Sequence, residues 1–196
     1  LTQLPDWASN IVESQIPTNN LYQNYNLSNF FDLASGGNGA GTLGQLQIVG
    51  DVYYVCLPLI KSAYLNEGDV SKAVLDYLDN VLDVDFRIYD NWKFKKFGDF
   101  YNHEYCPYNP GTGVSADNRL DFIVLYWLSE SKSGIRVGGR ADLAYTGTVV
   151  KDGIAINSSI TDANGIIGYK ASFYGPEGTI WIIGHEIGHH LFGMIN

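Results

Sequence analysis

Apolar and polar positions change period several times along the chain, and each change predicts an element. Residues 69–83 repeat apolar side chains at spacings of three and four, through Val70, Ala73, Val74, Tyr77, Leu78, Val81 and Leu82. That period predicts an amphipathic helix, with Asp69 as its cap. Residues 47–59, rich in Val, Ile and Tyr, predict a strand that stops at Pro58. Residues 86–89 predict a short strand, and the apolar run 120–128, interrupted at Asp121, predicts a buried central strand. Two further strand-like segments, 141–150 and 153–159, meet at the turn sequence Lys151-Asp152-Gly153. A glycine-rich loop then leads to a last helix at residues 179–192, with Gly193 placed to end it.

The remaining segments lack a period. The first 45 residues are turn-rich, with asparagines at 19, 20, 24 and 26 and glycines at 36, 37, 39, 41 and 44. They predict an irregular wrap rather than a linker, because Trp7, Tyr22, Phe30 and Phe31 need burial. Residues 90–118 read as a long loop, and loops of that length inside a compact domain are functional or pinned. No internal repeat is present. The order β-α-β-β-β-β-α predicts an α+β domain over residues 46–196 with a twisted, mixed sheet.

Composition narrows the class. The chain has 196 residues, 45% hydrophobic and 17% charged, which excludes disorder for its body. The longest apolar run, 122–128, is too short to span a bilayer. A net charge of −9 argues against nucleic acid, whose phosphates need a basic surface. Few lysines beside 14 Tyr and 22 Gly are common in secreted proteins. Leu1 opens into polar sequence with Pro5 and Trp7, so a secreted protein would carry this as its mature chain. Cys56 and Cys106 are the only cysteines. They fit one disulfide in an oxidising compartment, with two unrelated buried thiols as the alternative. Asn26-Leu27-Ser28 and Asn157-Ser158-Ser159 fit the N-glycosylation pattern.

The chemistry concentrates in one stretch, His185-Glu186-Ile187-Gly188-His189. On a helix, residues four apart differ by about 40° around the axis, so His185 and His189 share a face one turn apart. That spacing suits two imidazole nitrogens about 2.0–2.1 Å from one tetrahedral Zn²⁺. Glu186 lies about 100° further round, placed to act as general base on a water at the metal rather than as a ligand. Ile183, Ile187, Ile180 and Leu191 fall at about 160°, 200°, 220° and 240° from His185, so the core face opposes the histidine face. Gly184 and Gly188 predict close packing against a neighbouring strand or loop. His190, at about 140°, is not counted as a ligand. His103, in the long loop, reads as a surface histidine, with a place lining the cleft as the alternative. Shuffling this composition would give H-E-x-x-H only about 0.002 times per chain.

The stretch Thr-Ile-Trp-Ile-Ile-Gly-His-Glu-Ile-Gly-His-His-Leu-Phe-Gly at 179–193 resembles the active-site helix of zincin metallopeptidases. It is most similar to metzincin-like and immune-inhibitor-A-like secreted bacterial enzymes. Residues 29–36, 48–54, 84–90 and 121–126 resemble, in order, strand and helix blocks of the second family. The resemblance implies a twisted sheet backed by one helix, with the active-site helix beneath it. It also implies that a cleft-edge strand, within 141–150 or 153–159, takes substrate as an added antiparallel strand. A metzincin would carry a glycine and a third histidine where this chain has Phe192 and Ile195. Gly193 stands one residue late, which would put the third ligand at Asn196, not a usual zinc ligand. The third ligand and a lower subdomain are therefore expected beyond Asn196. Calcium is a second candidate ion, through Asp85, Asp90 and Asp99. Their spacing matches no calcium loop, and solvated surface carboxylates are the other account.

The expected function is a secreted zinc-dependent endopeptidase acting on protein or peptide. An inactive zincin-fold binding or surface module, and a metal-dependent hydrolase of non-peptide substrates, are the competing readings.

Overall fold

The computed structural model describes residues 11–15, 26–38, 42–44, 46–93, 104–114, 116–127, 139–158, 165–169 and 176–192. Two compact units divide the chain: Leu1–Tyr54 with Tyr174–Gly184, and Val55–Phe173 with His185–Asn196. Helices and strands are mixed, as an α+β class requires. Among the described residues, no helix is long and apolar enough to cross a membrane.

In the first unit, the region expected to be an irregular wrap contains a helix, α1, Leu27–Ala34. Asn26 caps it, its side chain accepting the Asn29 N–H at 3.0 Å, and Nδ2 donates to Glu13 Oε1 at 2.6 Å. Asn26 and Ser28 are buried, so the first glycosylation sequence is committed to capping and packing. Residues 47–59 contain no strand. Their backbone groups bond the N-terminal segment instead: Ser28 Oγ donates to the Ile48 carbonyl, and Gly50 N to the Glu13 carbonyl at 2.9 Å. Val, Ile and Tyr favour a strand only where a ladder partner is present.

The second unit is built around α2, Glu67–Asn80. The helix begins two residues earlier than expected because Asn66, not Asp69, is the cap; its Oδ1 accepts the Asp69 N–H at 3.0 Å. The buried stripe runs through Ser71, Leu75 and Leu78, whereas Val81 and Leu82 lie past the helix end and are exposed. Residues 86–89 are a 3-10 helix, Phe86–Tyr89, rather than a strand. Asp85 forces that turn by accepting the Arg87 N–H at 3.0 Å.

Among the described residues, seven short strands follow: β1 Trp92–Lys93, β2 Glu104–Tyr105, β3 Ile123–Trp127, β4 Gly139–Arg140, β5 Thr148–Lys151, β6 Ile154–Asn157 and β7 Gly165–Tyr169. They form an antiparallel β1-β2 pair, a mixed sheet in the order β3-β7-β4, and an antiparallel β5-β6 hairpin. Among the described residues, the apolar run thus supplies an edge strand, β3. The centre is β7, from a stretch whose glycines read as a loop. Gly165 is required there, because a Cβ would collide with the Ile123 carbonyl and stand 3.0 Å from Leu143 Cδ2. Of the segment expected as one strand over 141–150, only residues 148–150 are strand, in β5; residues 141–147 are not, with Ala144 at φ 59° among them. The expected turn forms: Lys151 pairs with Ile154, and Asp152 and Gly153 have φ of 52° and 81°, as a two-residue type I′ turn demands.

The elements of the second unit share a core. Leu75, Leu78, Phe86, Leu120, Leu125, Leu143, Ile154, Ile156 and Ile167 form a single buried cluster. The long loop after it is pinned, but not by sulfur: Cys56 and Cys106 are free thiols. Carboxylates do the pinning. Asp90 accepts the Asp117 N–H at 3.1 Å and the Asn118 N–H at 2.7 Å. Asp121 accepts the Asn91 and Trp92 N–H groups at 3.0 and 3.1 Å.

Candidate metal centre

The last helix, α3, spans Pro176–Phe192 and starts three residues earlier than expected, with proline at its first position. Proline suits that position because the N–H it lacks has no intrahelical acceptor there. Ile183 and Ile187 are buried while His185 is exposed and His189 half-buried, so His185 lies opposite the face that Ile183 and Ile187 bury, and His189 is flanked by buried Ile182. Gly184 lies against α1, not a strand or loop; a Cβ there would stand 3.4 Å from Phe30 Cε1, an ordinary contact.

The two imidazoles converge. Their Nε2 atoms are 3.1 Å apart, and the rings meet edge to face with centroids 4.6 Å apart. Two nitrogens on one tetrahedral zinc at about 2.0–2.1 Å would be about 3.3 Å apart, so the donor set fits a shared metal with little movement. Without metal, one Nε2–H can donate to the other nitrogen across the same gap.

Glu186 is buried beside them, 8% exposed, and packs against Gly139 in β4. Burial pushes its carboxyl above the ordinary range, the charges of His185 and His189 pull it down, and Asp142 pushes it up. Asp142 is itself held: Arg140 Nε donates to its Oδ1 at 2.6 Å, as does the Ala144 N–H. Arg140 Nη1 reaches Glu67 Oε2, in the first turn of α2, at 3.0 Å.

Among the described residues, no third His, Cys, Asp or Glu joins His185 and His189 in a metal-binding group. His103, Asp99, Gly193 and Asn196 lie outside the described residues, as does the side chain of His190. Asp90 is fully buried with both oxygens taken by N–H groups, and Asp85 pairs with Arg87 Nε at 2.8 Å. Asp90 is therefore no solvated surface carboxylate. Gly139, Arg140, Asp142 and Glu67 were not legible as site neighbours. The Arg-x-Asp spacing hints at the local ion pair, but nothing in sequence ties it to Glu67, 73 positions away.

A scan against protein-family models finds no match, and neither curated proteins nor solved structures yield a similar one.

Proposed function

We propose that the chain is the zinc-binding part of a secreted zinc-dependent endopeptidase, with His185 and His189 as two of the metal's ligands and Glu186 as general base. The observation that carries this reading is the convergence of the two Nε2 atoms at 3.1 Å on an exposed helix face, with the Glu186 side chain buried beside them. The mixed sheet, the helix sharing its core and the motif on α3 are compatible with the zincin arrangement that the resemblance implies.

Zinc bound there would supply Lewis acidity, polarising a peptide carbonyl and lowering the pKa of water to about 7. Glu186 takes the proton of the attacking water and returns it to the departing amine. Burial raises its proton affinity toward the value such a shuttle needs. In this reading β4, an edge strand among the described residues and in contact with Glu186, receives an extended peptide as a further strand. The third ligand and the lower wall of the cleft come from outside the described residues. A net charge of −9 argues against nucleic acid as the substrate.

The two-donor set favours one other reading, a zinc-binding module without turnover. Zinc content and hydrolysis of unstructured peptides, measured on the protein and its Glu186→Gln variant, separate the two. The peptidase reading expects both to hold zinc and the variant to lose at least about 100-fold in rate. Zinc without peptide hydrolysis in the parent protein would establish the binding module. Hydrolysis of simple esters alone would establish a non-peptide hydrolase.

A further inference from the structure

The sheet is bare where Glu186 lies. β4 and β7 pair Gly139 with Gly168, and residues directly opposite in a ladder project from the same face. Two hydrogens thus stand where two side chains would. A Cβ on Gly139 would be 2.5 Å from Glu186 Cγ, 2.8 Å from Cδ and 2.7 Å from Oε1, all closer than such atoms pack. The backbone at Gly139 is not in the left-handed region, so space rather than φ excludes a side chain there. The strand also cannot easily yield. Arg140, next along it, is held by Glu67 at 3.0 Å and by Asp142 at 2.6 Å, and both carboxylates are buried.

We propose that Gly139 is a positioning residue for Glu186: its missing side chain forms the slot in which the carboxylate lies, and Arg140 fixes the depth of that slot. The kinetic consequence rests on the peptidase reading; the packing relation does not. With β4 clamped, a methyl group at 139 displaces the Glu186 side chain rather than the strand. The imidazoles, on the helix's open face, keep their places.

The test is a double-mutant cycle of Gly139→Ala and Glu186→Ala, read first by thermal denaturation. With Glu186 present, Gly139→Ala should lower Tm by about 3 °C, from overpacking. In the Glu186→Ala background the same substitution should be neutral or stabilising, because alanine lowers the entropy of the unfolded chain. The second readout is kinetic. Gly139→Ala should lower kcat about tenfold or more while KM and the Kd for Zn²⁺ stay within about twofold. An equal Tm change in both backgrounds overturns the proposal, as does unchanged kcat in an active protein. If Gly139→Ala fails to fold but the double variant folds, the coupling is the same in stronger form. If neither folds, the clash is not with Glu186 and the proposal falls. Absent hydrolysis in the parent protein defeats the peptidase reading alone, and the Tm cycle still decides the slot.

Discussion

Carboxylates near the long loop and on α3 are held on different terms. Around the long loop, buried Asp90 accepts two backbone N–H groups, and so does half-buried Asp121. On α3, no donor among the described residues bonds the Glu186 carboxylate, which rests instead against a glycine. Asp90 and Asp121 tie backbone segments together, whereas Glu186 lies beside two convergent imidazoles, where the proposed function uses it as general base.

The largest expected effect breaks the first side of that contrast. Asp90→Ala strips acceptors from the Asp117 and Asn118 N–H groups and should cost about 3 kcal/mol, lowering Tm by roughly 8 °C. Zinc binding at His185 and His189 should not change. Denaturant titration with zinc analysis of the variant checks both halves.

Asp121 gives the next effect. Burial pushes its carboxyl from 3.8 up to about 7, against the pull of the Asn91 and Trp92 N–H groups and with the push of Asp90 and Asp117. A folded-state value above the unfolded one means the native chain binds more protons between those limits. This group's contribution is therefore full below about pH 4 and is lost as pH rises through 7. Urea titrations from pH 4 to 8 should show that loss, and Asp121→Asn should flatten it.

Arg140→Gln should cost about 1 kcal/mol, since the guanidinium is half exposed and water screens its pairs with Glu67 and Asp142. The smallest effect has the opposite sign. In metal-free protein at pH 7.5, Glu186→Gln should raise stability by less than about 1 kcal/mol, because a neutral amide replaces a desolvated charge. A stability loss as large as that of Asp90→Ala would place Glu186 with the acids that tie backbone segments together.

How much of this was legible in sequence follows the range of the interactions. The period of α2, the Asp152-Gly153 turn and the core face of α3 are set by residues within a few positions of one another, and all three form. Strand assignments failed where pairing is remote. Residues 47–59 carry strand-like composition without a ladder, while β7 carries glycines and is central because Gly165 and Gly168 face Ile123, Tyr126 and Gly139 across the sheet. Even on α2, the period left out Leu75, the most buried position of the helix, because composition cannot tell which apolar residue meets the core. At the candidate site, the spacing of His185, Glu186 and His189 was readable because one helix carries all three. The slot under β4 and the bridge to Glu67 were not, since they depend on which strand the fold lays against that helix.

The central claim is that His185 and His189 share one metal, and zinc titration calorimetry on the protein and on its His185→Ala and His189→Ala variants tests it most directly. The account predicts one zinc per chain, with affinity falling at least about 100-fold in either variant. Binding of the same strength in all three proteins, or none in any, would contradict it.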